Sequence, residues 1–319
     1  MKKRNAIAIC VSLVYVAVMT IIWLNVMGEI INDSLNYLSQ NIGIIISQAI
    51  VIGGAYLIYA FIKERETETV VDNKKKIDLR LYIICIISSA ILIIIMLAFR
   101  ELVGNIWYLT KKEVLFEFTL EESTTTLDIT QILISIISVG IVTPVFEEMY
   151  FRKAIMGETS NVHPICLAII SVLTFLLMHN KLEQIVYIMP MAIYIVVIYM
   201  RTKNLRYCIF IHMIINCVGI FIKSKKIPVF SWQEAVLKDD KAFSLICIAG
   251  LILCIAVLII CLIYVNSYLK IEKKEKLEIN IKESIVYVIV CVLFCTIMLT
   301  RLYSGHTEGD NIVYEDIDM

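Results

Sequence analysis

Apolar runs of about twenty residues, repeated along most of the chain, constrain it more than any other feature of its sequence. They fall at roughly 6–27, 42–62, 80–99, 130–151, 164–182, 184–200, 205–222, 243–268 and 283–302. A helix needs about 20 residues to cross the hydrocarbon of a bilayer, and these runs are of that length. Lipid offers no partner to an open backbone group, so each run must be helical. The alternating ten-residue segments of a membrane β-barrel are not seen. The expected fold is therefore all-α, a polytopic integral membrane bundle of about eight to nine transmembrane helices. Composition agrees: 60% of the 319 residues are hydrophobic and 18% charged, against about 45–50% and about 25% in soluble domains. A cytosolic enzyme, a disordered chain and a secreted disulfide scaffold are all disfavoured.

The 29 Lys and Arg equal the 29 Asp and Glu, so net charge gives no footprint for nucleic acid, and no nucleic-acid partner is expected. Placement along the chain is more informative. With the N-terminus in the cytoplasm, 19 basic residues fall inside and 10 outside. That excess orients the chain N-inside. The first run follows Lys2, Lys3 and Arg4, but it is longer than a signal-peptide core and no small-x-small cleavage site follows it. It is expected to be a retained anchor. The ten cysteines lie mostly inside runs and form no C-x-x-C. Cys247, Cys254 and Cys261 share one helix face, and Cys291 and Cys295 another. They are expected to act as small packing residues.

Ionisable groups inside a membrane are costly, about 2.5–3.5 kcal/mol each on insertion scales, and so they point to function. Three of the runs carry such groups. The run at 130–151 ends in Thr143-Pro144-Val145-Phe146-Glu147-Glu148-Met149-Tyr150-Phe151-Arg152. Glu148 and Arg152 are four apart and pair on one helix face, while Glu147 points about 100° away. Pro144 removes a helical donor and kinks the chain just before the acids. Phe175 and His179 share a face of the next helix, and His212 and Asn216 share a face of another. Glu147 and His179 are centred on residue 163, within the turn-like Glu158-Thr159-Ser160-Asn161 and His163-Pro164. A fold-back there sets the two level, about 22–24 Å from the turn. The fourth helix then continues past Arg152. His212, counted from the basic turn at Arg201–Lys203, sits about 14 Å along its helix and is shallower on this count, unless the turn between the fourth and fifth helices stands well out in the cytosol.

Glu-Glu-x-x-x-Arg, Phe-x-x-x-His and His-x-x-x-Asn, in this order on three helices, resemble the CPBP family of CAAX-protease and bacteriocin-processing membrane proteins. That family includes the type II CAAX prenyl endopeptidases and Abi-like proteins. The motifs are Glu147-Glu148 with Arg152, Phe175 with His179, and His212 with Asn216; Pro144 fits the family's approach to the acid pair. Lys153 departs from it, since members commonly have Gly there. The resemblance covers roughly 131–222, expected to be the catalytic core. Residues 1–130 are read as N-terminal membrane helices with an outside loop, and 223–319 as C-terminal membrane helices with an acidic tail. The loop at 100–129 is read as a linker.

The resemblance implies an intramembrane endopeptidase acting on a membrane-associated peptide or protein in the lipid bilayer, expected in a bacterial plasma membrane. By that analogy Glu147 is the general base that activates water, and His179 helps hold the water. Glu148 with Arg152 is structural and tuning, and His212 and Asn216 donate to the oxyanion. The chemistry is coherent, because desolvation strengthens a carboxylate as a base and preorganised donors stabilise a tetrahedral oxyanion. No cofactor is required on this reading. Zinc is the alternative, with Glu147, His179 and His212 as candidate ligands and water in the fourth position, although no H-E-x-x-H is present. Outside proteolysis, the competing readings are a non-catalytic role in bacteriocin immunity or scaffolding, and a proton-coupled transporter. The lack of an internal repeat argues against the last of these.

Overall fold

The computed structural model describes residues 3–31, 37–63, 79–111, 127–157, 164–179 and 182–224, together with 249, 252–253, 255–263 and 289. Among these residues every regular element is helical. We label them α1 (Lys3–Ile31), α2 (Tyr37–Ile62), α3 (Leu79–Lys111), α4 (Ile129–Gly157), α5 (Pro164–Leu177), α6 (Leu182–Thr202) and α7 (Leu205–Ser224). Five helical stretches are long and apolar enough to cross a membrane: Tyr37–Ile62, Leu79–Arg100, Ile129–Gly157, Gln184–Thr202 and Leu205–Ile222. Ile7–Trp23 and Ile165–Leu177 are shorter apolar helices. The runs at 243–268 and 283–302 fall largely outside the described residues, as do 112–126 of the expected 100–129 loop, the turn around 158–163, and Cys247, Cys254, Cys291 and Cys295; residues 100–111 are not loop but continue α3.

The element boundaries have local causes. Asp128 starts α4 with a capping box: Gln131 N–H donates to Asp128 Oδ1 at 2.7 Å, and Asp128 N–H donates to Gln131 Oε1 at 3.0 Å. These reciprocal bonds satisfy donors that a helix start leaves open. The α6–α7 link is very short. Lys203 adopts φ 50°, and Asn204 Oδ1 accepts from Arg206 N–H at 3.0 Å to begin α7. α4 extends to Gly157, past Arg152 as the sequence suggests. α5 is shorter than the 164–182 run from which it was anticipated. The His179 N–H turns back to the Leu176 carbonyl at 3.1 Å, and the His179 ring Nδ1 takes the Phe175 carbonyl at 3.0 Å. The side chain thus replaces the backbone donor that would have continued the helix.

α1 packs along the second half of α2, α3 lies against α6 and α7, α5 against α6, and α7 crosses α4. The outward faces are apolar, with Leu57, Phe61, Leu79 and Ile129 strongly exposed. The polar groups face inward instead: Ser12, Ser138, Glu148, Arg152, Ser171 and Thr174 are wholly buried. This is the arrangement that hydrocarbon surroundings require.

Wide π turns interrupt two of the helices, at Gln48–Gly53 in α2 and at Ile136–Val142 and Met149–Ala154 in α4. In the second of these, Thr143 N–H reaches the Ser138 carbonyl five residues back. The next donor in that register would be residue 144, serving Val139. Pro144 has no N–H, and the Asn216 side-chain amide from α7 donates to the Val139 carbonyl at 2.9 Å. A proline in α4 therefore creates an acceptor that α7 fills. The same crossing is tight, since a Cβ added to Gly140 would lie 2.8 Å from Cys217 Sγ.

Gly140→Ala should overpack this crossing, at a cost of about 1–3 kcal/mol. We expect a lower thermal midpoint in detergent, with most of it recovered in the Gly140→Ala/Cys217→Ala pair. Equal midpoints for the single and double variants would contradict the tight contact.

Candidate active site

The six residues singled out in the sequence lie on two helices and one helix end: Glu147, Glu148 and Arg152 on α4, His179 just past α5, and His212 and Asn216 on α7. Glu148 and Arg152 are each 0% exposed, with Arg152 Nε 3.0 Å from Glu148 Oε2. This is a close ion contact whose N–H direction does not make it a full hydrogen bond. The second Glu148 oxygen, Oε1, meets His212 Nδ1 at 2.9 Å. One buried carboxylate therefore bridges a guanidinium and an imidazole. Arg152 also lies over the Phe175 ring, 4.7 Å from its centroid. A desolvated cation gains from the negative face of an aromatic ring. Its two Nη atoms have no hydrogen-bond partner among the described residues.

Glu147 is held more loosely. Its Oε2 stands 3.8 Å from His212 Nε2, beyond hydrogen-bond length. Its Oε1 accepts from Gln48 Nε2 of α2 at 3.4 Å. The adjacent acids are thus treated differently: Glu148 has a close contact at each oxygen, and Glu147 Oε2 has only His212 Nε2 at 3.8 Å.

Phe175 joins the pieces. Its ring packs edge-on against Phe151 (5.4 Å between centroids), His179 (5.2 Å) and His212 (5.8 Å). Ser171 of α5 also donates to the Phe151 carbonyl at 2.9 Å. The Phe151–Phe175 contact is centred on residue 163, the register expected for Glu147 and His179 on antiparallel α4 and α5. His212 is level with Glu148, which it meets directly, as the alternative of a far-standing α4–α5 turn requires. The reference level is the end of α4, not the turn at 163. A Cβ on Gly157 would meet Tyr199 Oη at 2.9 Å, so α4 ends beside the last turns of α6. Glu148 lies nine residues before Gly157 and His212 nine after Lys203, which brings them level.

Lys153, which departs from the family's pattern, is exposed and turned away from the acids, with Nζ 5.9 Å from the Tyr56 ring centroid. Behind it, the buried Tyr150 shares a 2.9 Å hydrogen bond with Ser12 of α1. Among the described residues, no group of three His, Cys, Asp or Glu is placed to hold a metal ion. His212 Nδ1 is engaged by Glu148 and His179 Nδ1 by the Phe175 carbonyl, which leaves the Nε2 atom of each ring outside these bonds.

Residues 129–218 match the family model of the type II CAAX prenyl endopeptidase Rce1-like domain. The chain carries a CPBP-family domain. That family is one of proteases, and a protease implies a peptide substrate. The match begins at the start of α4, ends in α7, and contains all six motif residues. No curated protein and no solved structure matches the chain. Gln48 lies outside the Rce1-like segment, and the sequence reading did not select it. Its only signal is an amide inside the apolar run 42–62.

Removing one partner of a buried ion pair costs about 3–5 kcal/mol, because the other charge is left uncompensated. Arg152→Met should therefore lose folded protein on size exclusion in detergent. The Glu148→Gln/Arg152→Met pair should retain more of it. A double variant that is worse than the single would refute the pairing.

Proposed function

We propose that this chain is an intramembrane endopeptidase that hydrolyses a peptide bond in a membrane-associated peptide or protein. Its catalytic core is 131–222, set in a bundle of about eight to nine membrane helices. One observation carries this reading. Glu148 is engaged at one oxygen by Arg152 and at the other by His212, whereas Glu147 Oε2 stands 3.8 Å from His212 Nε2. A scaffold needs the first carboxylate; an unsaturated second one beside it is the arrangement of a base.

In the mechanism, Glu147 takes a proton from a water molecule, and the resulting hydroxide attacks the scissile carbonyl carbon. His179, through the Nε2 left over from its bond to Phe175, orients that water. The carbonyl oxygen becomes an oxyanion, stabilised by hydrogen bonds from protonated His212 Nε2 and from the second amide N–H of Asn216. The first N–H of Asn216 is engaged by Val139. Collapse of the tetrahedral intermediate breaks the C–N bond, and protonated Glu147 returns its proton to the leaving amine. Glu148 and Arg152 fix the orientation of His212. No step passes through a metal. The split of 19 basic residues to 10 supports a cytoplasmic N-terminus in a bacterial plasma membrane.

Glu147→Gln keeps the shape and removes the base, so cleavage should fall by about 10²–10⁴-fold. Wild-type and Glu147→Gln proteoliposomes, each incubated with total membrane protein of the expression host, should differ in new N-termini detected by labelling. Identical fragment sets would overturn the protease reading. Cleavage by the wild type should also persist after dialysis against a zinc chelator; loss of cleavage with recovery on added zinc would overturn the metal-free mechanism.

A further inference from the structure

We propose that Gln48, outside the Rce1-like segment, is a positioning residue for Glu147, and that its amide sets which carboxylate oxygen faces the attacking water. The inference rests on the reading of Glu147 as the base. An ionised carboxylate only accepts hydrogen bonds, so Gln48 must present its NH2 end, and Nε2 stands 3.4 Å from Glu147 Oε1. The other oxygen, Oε2, then faces His212 Nε2. The last side-chain torsion of Glu is broad and nearly two-fold, so without a partner the carboxylate rotates freely. Arg152 and His212 lock Glu148 against such rotation. For Glu147, Gln48 has that task.

The helix that carries Gln48 is held where this contact can form. Asn41 and Gln48 are seven apart, two helical turns, and so share a face of α2. On that face, Tyr37 shares a hydrogen bond with Ser135, and Asn41 Oδ1 accepts from Ser138, so polar contacts fasten α2 to the early part of α4. At the other end, a Cβ on Gly53 would meet Phe146 Cε1 at 2.9 Å, one residue before Glu147 in α4. Between these two fastenings the helix widens into its π turn at Gln48–Gly53. Such turns recur where a helix must re-aim a side chain at a functional site. Gln48 Oε1 is buried and has no hydrogen-bond partner among the described residues. It supplies an acceptor for the O–H of the water that is not transferred to Glu147.

The test uses the full chain in proteoliposomes and a synthetic peptide spanning the strongest cut found in host membrane protein. Gln48→Met preserves length and removes both the donor and the acceptor. We expect kcat to fall about 10–100-fold with KM within about two-fold of wild type, the scale of losses seen when a supporting residue is removed. In infrared spectra, the carboxylate stretch assigned by its loss in Glu147→Gln should shift in Gln48→Met. A purely structural role would lower the thermal midpoint or raise KM and leave that stretch unmoved. Full kcat in Gln48→Met, or an unmoved stretch, overturns the proposal for Gln48 while Glu147→Gln remains inactive. If Glu147→Gln cleaves as the wild type does, the protease reading itself fails, and the proposal fails with it.

Discussion

A carboxylate buried among apolar helices has no water to solvate it, so its charge must be met by other side chains. Glu148 meets this condition with Arg152 on its own helix and His212 on another, and much of the core is arranged around that bridge. Phe175 covers the guanidinium and touches both histidines, while Phe151 and Ser171 fix α5 to α4. The strength of the arrangement lies in its mutual dependence. Any one of Glu148, Arg152 or His212, left alone, would be an uncompensated polar group in a low-dielectric interior.

The second organising device is backbone geometry. Pro144 and the wide turns of α4 open carbonyls that a regular helix would close, and side chains from other elements close them instead. Asn216 does so at Val139, tying α7 to α4 near the acids. At the end of α5 a local contact does the equivalent: the His179 ring takes the carbonyl of Phe175, four residues back, and the helix stops. Residues read from sequence as chemical groups are thus also structural fasteners, and the same atoms serve both purposes only in part. Asn216 has a second N–H, and the two ring nitrogens of each histidine divide between holding the fold and facing the site.

The fold class was plain from sequence, because apolar runs of spanning length permit only helices. The α4–α5 register was also legible: turn residues near 163 fixed an antiparallel pairing that the Phe151–Phe175 contact shares. The i,i+4 pairs were readable for the same reason, since 3.6 residues per turn places them on one face. Two points could not be read this way. The level of His212 stayed open because the level of one helix against another depends on where α4 ends beside Tyr199, a contact far apart in sequence. Gln48 was overlooked because one amide in an apolar run carries no spacing signal and is 99 residues from its partner.

Sequence by itself determined the helices, their apolar outward faces, and which few polar residues had to be gathered inside. It did so because hydrocarbon penalises an exposed backbone group or charge wherever it occurs along the chain. The i,i+4 spacing already paired Glu148 with Arg152; the tertiary structure alone decided which groups of other helices meet the two acids. Glu147 and Glu148 are chemically identical neighbours, and it is His212 of α7 that completes the bridge at Glu148 and Gln48 of α2 that meets Glu147, both distant in sequence.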